Sequence, residues 1–173
     1  GLGRGGGGSP RPSYTVTTTD LETGKRAWET KVESESQIKP PSLVFSPNGA
    51  QLALVTVERQ QTAIKVFDTA SRREVSSFAA AAVNVQGMVF SRDGKRLALT
   101  YASPGGLTAF GSNRDVMRAN RAEPTVTIHD LAAGRRAATI VDDAPIVGVA
   151  FDADGRLMAT VGEDGNQDLW DAQ

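Results

Sequence analysis

The sequence contains no cysteine, a single histidine and no long uninterrupted hydrophobic run. Without cysteine, disulfides and thiolate metal sites are excluded, and a zinc site would lack most of its usual ligands. No stretch approaches the roughly 18 apolar residues of a membrane span, and the N-terminus lacks the charged-then-apolar layout of a signal peptide. We therefore expect no membrane association, and the absence of cysteine favours a reducing, cytoplasmic location.

An excess of charge of one sign is also missing. The 19 basic and 20 acidic residues give a formal net charge of -1. Nucleic-acid-binding domains usually carry a basic surface, so no nucleic-acid partner is expected. With 173 residues, of which 39% are hydrophobic, the chain is long enough to form a soluble domain with a core.

Residues 1–13 are rich in glycine and contain two prolines. Such a composition buries little apolar surface and loses much conformational entropy on ordering. It predicts a flexible linker over 1–13 and a folded part over 14–173.

The strongest pattern in the folded part is a repeated hairpin. Three segments align without gaps: SLVFSPNGAQLALV from Ser42, GMVFSRDGKRLALT from Gly87 and GVAFDADGRLMATV from Gly148. In each, an apolar run ends in Phe (Phe45, Phe90, Phe151) and Gly follows four residues later (Gly49, Gly94, Gly155). The residues between them favour a type I turn, and the Gly supplies the left-handed residue that rejoins the ladder. The pattern predicts three β-hairpins.

A second motif follows each hairpin, namely a short strand that ends in Asp and leads through a turn into another strand. Its copies end at Asp68, Asp130 and Asp171, with a weaker copy ending at Asp20. The repeating unit is therefore four strands, A to D. The first two Phe are 45 residues apart, which matches the roughly 40–45-residue period of propeller blades. The next interval is 61 residues, so the second unit carries an insertion of about 16 residues.

At its C-terminal end the sequence resembles the WD-repeat consensus. The segment LMATVGEDGNQDLWD ends in Trp170-Asp171 and has Asp164-Gly165 where that family places a turn between strands B and C. The resemblance implies an all-β fold, a β-propeller segment of four-stranded antiparallel blades numbering about three to three and a half. Each blade is expected to bury its Phe and aliphatic residues against the next.

The repeats also depart from the WD-repeat pattern. The Gly-His pair that usually opens a repeat is absent, and Phe67-Asp68 and His129-Asp130 replace Trp-Asp in the first two copies. The family's hydrogen-bond network through His is therefore expected to be incomplete.

The predicted domain organisation divides 14–173 into four parts. Residues 14–37 supply strands C and D of one blade, 38–82 a full blade, 83–143 a blade with an inserted loop at 103–123, and 144–173 an incomplete blade. Propellers typically need four to eight blades. Because the chain also begins with Gly1, we expect it to be a fragment, with the remaining blades supplied by missing sequence or by a second chain.

The function implied by this resemblance is a non-catalytic scaffold for protein–protein interaction. The insertion is the candidate contact segment, because long loops on rigid scaffolds often carry binding. Phe110 and the arginines at 114, 118 and 121 are its candidate partner-binding residues. Arg114, Arg118 and Arg121 would share one face of a short helix and suit an acidic surface.

Two further hypotheses remain from the sequence. The chain could be a small-molecule-binding or hydrolytic propeller resembling lactonase-like or quinoprotein families, or a sensory domain attached to an enzyme. His129 beside Asp130 could act as an oriented base, and Asp152 with Asp154 could hold calcium. The repeat itself accounts for these residues, so no catalytic residue, metal ligand or cofactor is predicted.

Overall fold

The computed structural model describes residues 13–19, 21–33, 42–58, 61–81, 85–101, 125–142 and 144–172. Within these ranges the chain forms β-strands and no helix, which confirms the predicted all-β class. It follows that these ranges hold no helix able to cross a membrane. The strands are β1 (Ser13–Thr19), β2 (Arg26–Glu33), β3 (Leu43–Phe45), β4 (Gln51–Glu58), β5 (Gln61–Asp68), β6 (Glu74–Ala79), β7 (Val85–Phe90), β8 (Arg96–Tyr101), β9 (Val126–Asp130), β10 (Arg135–Ile140), β11 (Ile146–Phe151), β12 (Leu157–Gly162) and β13 (Gln167–Asp171).

The strands form four antiparallel sheets in chain order. We call them sheet I (β1-β2), sheet II (β3-β4-β5-β6), sheet III (β7-β8-β9-β10) and sheet IV (β11-β12-β13). Each strand pairs with its neighbours in sequence, so every sheet is a simple meander. Sheets II and III confirm the predicted four-stranded antiparallel unit. Among the described strands the sheets do not close into a ring, because sheet I has two strands, sheet IV has three, and neither pairs with the other.

Successive side chains along a strand point to opposite faces of its sheet. Consecutive sheets pack with these faces against each other. Val16 and Trp28 of sheet I lie against Leu52, Leu54 and Phe67 of sheet II. The opposite face of sheet II, with Ala53, Ile64 and Val66, packs on Met88, Phe90, Leu97, Leu99 and Tyr101 of sheet III. The other face of sheet III, with Ala98, Val126 and Ile128, packs on Ile146 and Met158 of sheet IV. The core is therefore a series of interfaces between successive sheets, as in neighbouring propeller blades.

The phenylalanines that end the first strands of sheets II, III and IV do not all match the expectation that each is buried against the next sheet. Phe90 is 4% exposed, and it packs on the preceding sheet. Phe151 also packs on the preceding sheet and is partly buried. Phe45, at the same repeat position, remains 46% exposed. Sheet I explains the difference, because its two strands cover β4 and β5 of sheet II and leave β3 uncovered.

Candidate functional site: a rim of stacked turns

The hairpin turns of sheets II, III and IV lie at one end of their sheets. In each, the Gly has a left-handed φ, 69° at Gly49, 72° at Gly94 and 68° at Gly155. The Gly N–H donates to the carbonyl of the residue three positions earlier, at 2.8, 2.9 and 3.2 Å respectively. A residue with a Cβ adopts this φ at an energetic cost, so glycine is favoured for the tight return into the second strand.

Successive turns stack on one another. A Cβ built on Gly155 would lie 3.3 Å from the Cβ of Ser91 in the preceding turn. A Cβ on Gly94 would lie 3.8 Å from the Cβ of Ser46, again in the turn before it. Arg96 adds a hydrogen bond between two successive turns, since its Nη1 donates to the carbonyl oxygen of Gly155 at 2.8 Å. We call this stacked row of turns, together with the turns that follow β5 and β9, the rim.

Side chains within the rim fix its local shape. Ser91 Oγ bonds the Asp93 carboxylate at 2.7 Å, and Lys95 N–H donates to the same carboxylate at 3.0 Å. These hydrogen bonds lower the pKa of Asp93, and the bond from Ser91 has the largest effect. In the first turn Ser46 and Asn48 form the equivalent bond at 2.8 Å. Because each turn is pinned by its own side chains, the rim is a preorganised surface.

The aspartates that end strands β5 and β9 act as caps for the next turn. Asp68 accepts a hydrogen bond from the N–H of Ser71 at 2.6 Å, and Asp130 accepts one from Ala133 at 2.8 Å. The bonds to Ser71 lower the pKa of Asp68. Since the Asp130 carboxylate is directed to Ala133, it does not orient His129 as a catalytic base.

A shallow pocket of about 280 Å³ opens on the rim between sheets III and IV. Three acidic and three basic side chains line it: Asp93, Lys95, Arg96, Asp130, Asp154 and Arg156. Lys95, Asp154 and Arg156 are exposed, so their charges are available to a ligand. The arrangement offers alternating donors and acceptors to a polar partner surface.

His129 is 4% exposed and lies in the interface between sheets II and III. Its ring stacks on Phe78 of sheet II, and its Nε2 bonds Thr127 Oγ1 at 3.1 Å. Thr127 bonds the Tyr101 hydroxyl at 2.8 Å, and that hydroxyl accepts the N–H of Ala81 at 3.1 Å. Burial, followed by the positive charge of Arg136, lowers the pKa of His129 to about 4. This histidine is a neutral element of the sheet interface near pH 7.

At the matching position of sheet IV, Trp170 donates from Nε1 to Thr160 Oγ1 at 2.8 Å. Asp164 accepts the N–H of Asn166 at 3.1 Å in the turn before β13, and Gly165 in that turn has a φ of 83°. The third repeat therefore has a Trp–Thr hydrogen bond and a tight turn, and it contains no histidine. Phe67, His129 and Trp170 all face the preceding sheet.

Of the two aspartates considered as calcium ligands, Asp152 bonds the backbone of its own turn. Asp152 Oδ1 accepts hydrogen bonds from the N–H groups of Arg156 and Leu157, at 2.8 and 3.1 Å. In the ranges given above, no group of three or more His, Asp or Glu side chains is placed to hold a metal ion.

The four candidate partner-binding residues, Phe110, Arg114, Arg118 and Arg121, lie outside the described residues. The structure does place the two ends of their segment. Tyr101 N–H donates to the carbonyl oxygen of Thr125 at 3.1 Å, so the chain leaves and rejoins sheet III at one hydrogen-bonded pair. This pair lies at the end of sheet III opposite to the rim, because β8 runs from the rim turn to Tyr101.

The charged pocket was not anticipated from the sequence. A usable signal exists, because the two residues after the turn Gly are Lys95-Arg96 in the second hairpin and Arg156-Leu157 in the third. The charges of Lys95, Arg96 and Arg156 mark the surface where successive turns stack. No family model matches the chain, and no curated protein is significantly similar to it.

Proposed function

We propose that the chain is a segment of a WD-repeat-like propeller that serves as a non-catalytic scaffold for protein–protein interaction. The observation that carries the proposal is the stacking of turns, in which Gly155 lies against Ser91 and Gly94 against Ser46. Stacked and internally bonded turns fix the backbone that carries the charged side chains before a partner arrives. Preorganisation of this kind reduces the entropy lost on binding.

The chemistry of the rim suits a polar protein surface. Arg156 and Lys95 offer cations, and Asp154 offers an exposed carboxylate next to them. Alternating charges favour specificity and fast association over raw affinity. The pocket volume of about 280 Å³ lies just below the range of roughly 300–1,000 Å³ that is usual for ligand sites, which favours contact across a surface.

The environment of the histidine argues against a hydrolytic role. A general base must reach the proton it removes, and His129 is buried between two sheets with its Nε2 bonded to Thr127. A pKa of about 4 also leaves it a weak base near neutral pH. The lactonase-like alternative would need a different base, and the described part of the chain offers none by a known motif.

The insertion at 103–123 is the second proposed contact. The two residues that flank it, Tyr101 and Thr125, lie at the end of sheet III opposite to the rim. We therefore expect a contact through the insertion to be separate from a contact through the rim. Phe110, Arg114, Arg118 and Arg121 remain its candidate residues, with an acidic partner surface as the expected complement.

The test is quantitative capture of partners by crosslinking in a native extract, compared between variants. We expect the rim variant Lys95→Glu/Arg156→Glu and the deletion of 103–123 each to lose a reproducible subset of the captured proteins. Thr139→Lys on β10 is the matched control, because Thr139 is exposed and lies between the two ends of sheet III. Circular dichroism must show an unchanged sheet signal in all variants. Identical capture by all of them, or hydrolysis of a lactone that the rim variant abolishes, would contradict the proposal.

A further inference from the structure

The rim turn between β5 and β6 contains a backbone outlier. Arg72 has a φ of 62°, and it is the one residue other than glycine with a positive φ in the described ranges. The turns between β1 and β2 and between β9 and β10 have glycine at the matching position, Gly24 with a φ of 66° and Gly134 with a φ of 61°. Arginine adopts this conformation at an energetic cost that glycine avoids. Strained residues of this kind cluster at binding and active sites.

The turn itself gives no structural reason for an arginine at position 72. The main-chain N–H of Arg72 donates to the carbonyl oxygen of Asp68 at 2.8 Å, a bond that any residue except proline could make. The Asp68 carboxylate accepts the N–H of Ser71 instead of pairing with the guanidinium group. That guanidinium group is exposed and forms no ion pair with any described residue.

The residue that follows the left-handed position is basic in all three of these turns, namely Lys25, Arg73 and Arg135. Arg135 lies opposite Asp130 across its hairpin, where a cross-strand ion pair would be the simplest explanation. The two side chains form no ion pair in the described part of the chain, and the Asp130 carboxylate accepts the N–H of Ala133. The repeated cation is therefore directed to solvent.

The other described cations of sheets II to IV are also concentrated on the rim. Apart from Lys65, which pairs with Glu74, every described Lys and Arg of these sheets lies in a rim turn or in the first two strand residues after it. Three rim carboxylates, those of Asp68, Asp130 and Asp152, are partly buried and accept main-chain N–H groups. The outward-facing charge of the rim is therefore mainly positive.

The composition of this surface discriminates among anionic partners. A guanidinium group matches a carboxylate or phosphate through two parallel hydrogen bonds. The exposed carboxylates of Asp93 and Asp154 interrupt the row of cations, which disfavours the uniformly charged backbone of a nucleic acid. The rim turns contain no aromatic residue that could stack on bases. A protein segment with spaced acidic residues fits all three features.

We infer that the rim binds an acidic segment of a partner protein and that Arg72 and Arg73 are its main anchors. Two consecutive exposed guanidinium groups can form charge-assisted hydrogen bonds with successive carboxylates of such a segment. The strain at Arg72 lowers the stability of the chain alone in exchange for this contact. The inference rests on the proposed scaffold function and names the chemistry of its partner. If the Lys95→Glu/Arg156→Glu variant loses captured proteins but an acidic peptide does not bind, the scaffold function stands and only the acidic partner is wrong.

The experiment measures binding of a fluorescein-labelled peptide of alternating Glu and Gly to the full chain by fluorescence anisotropy. The same peptide with Gln in place of Glu, and a single-stranded oligodeoxythymidine of equal charge, are the comparison ligands. We expect saturable binding of the Glu peptide that weakens as salt is added, no binding of the Gln peptide and weaker binding of the oligonucleotide. Absence of saturable binding by the Glu peptide, or tighter binding of the oligonucleotide, overturns the inference.

The variant Arg72→Gly separates an anchoring role from a structural one. Glycine relieves the left-handed strain, so the variant should unfold at a higher urea concentration than the native chain. The same change removes a guanidinium group, so the Glu peptide should bind about threefold more weakly. Arg72→Lys retains both the charge and the strain and should lose less affinity. An Arg72→Gly variant that is more stable and binds the peptide as tightly as the native chain overturns the inference.

Two further variants make the measurement specific. Arg72→Gly/Arg73→Ala should weaken binding of the Glu peptide about tenfold, because both anchors are removed. Thr139→Glu is the matched control, since it changes the net charge by the same amount as Arg72→Gly at an exposed position of β10 away from the rim, and it should leave the affinity unchanged. An equal loss of affinity in Thr139→Glu would mean that the peptide responds only to net charge, which overturns the assignment to the rim.

Discussion

The aromatic ring of Phe78 lies stacked on the imidazole of His129, with ring centroids 4.1 Å apart and ring planes 15° from parallel. Phe78 belongs to the last strand of sheet II and His129 to the third strand of sheet III, so the pair joins two successive sheets. The imidazole must stay neutral to remain buried there, since its Nδ1 has no hydrogen-bond partner among the described residues.

This contact makes stability depend on pH in a defined window. The folded-state pKa of about 4 lies below the ordinary histidine value of 6.5, so the unfolded chain binds more protons between these two values. Stability that is present above pH 6.5 is lost as the pH falls toward 4, by up to about 3 kcal/mol. Urea unfolding at pH 7.5, 5.5 and 4.5 measures the loss.

The control for this prediction is His129→Phe, which places at this position the residue found at Phe67 of sheet II. We expect the variant to lose most of the pH dependence between 6.5 and 4 and to retain the acid loss below pH 4 that comes from carboxylates such as Asp68 and Asp93, whose pKa values are lowered. An unchanged pH profile in this variant would show that other groups dominate.

Glycine substitutions separate backbone strain from crowding between turns. Gly134 and Gly155 have similar φ values, 61° and 68°, but a Cβ at Gly134 would meet nothing within 4 Å, whereas one at Gly155 would lie 3.3 Å from Ser91 Cβ. We expect Gly134→Ala to cost about 1 kcal/mol of unfolding free energy and Gly155→Ala to cost at least about 1 kcal/mol more. Equal losses in urea unfolding would mean that the turns do not press on one another.

The exposed Phe45 and the buried Phe90 allow a test at one repeat position. Phe90→Ala should destabilise by about 3–5 kcal/mol, because it leaves a cavity between sheets II and III. Phe45→Ala should cost less than about 1.5 kcal/mol, because the residue is 46% exposed. Thermal unfolding of the two variants measures this difference, and a large loss for Phe45→Ala would indicate that another surface covers β3 in solution.

The bond between Trp170 and Thr160 should stabilise sheet IV measurably. Trp170→Phe removes the Nε1–H donor and leaves the buried Thr160 hydroxyl without it, at a cost of about 1–2 kcal/mol. Thr160→Val in the Trp170→Phe background should add little further loss, because the unsatisfied hydroxyl is then absent. A double-mutant cycle by chemical unfolding gives the coupling, and strict additivity would argue against the bond.

The sequence was sufficient to predict the antiparallel four-stranded sheets, because the Phe-to-Gly spacing and the strands ending in Asp describe local hairpins. Contacts between sheets could not be predicted from the sequence. Exposure of Phe45 depends on which strands sheet I covers, and the pocket at Arg96 and Arg156 arises only when turns from two sheets stack. The burial of His129 likewise depends on Phe78, which is remote in sequence. Local geometry is encoded in short patterns, whereas an interface depends on how neighbouring units are placed.

The hydrogen bond between Tyr101 and Thr125 holds the two ends of the intervening segment together independently of its length. Loop-closure entropy grows only with the logarithm of loop length, so the segment can lengthen or shorten at little cost to sheet III. Natural variation in length should therefore concentrate here. The same junction offers protein engineers a point for grafting a foreign domain whose own termini lie close together.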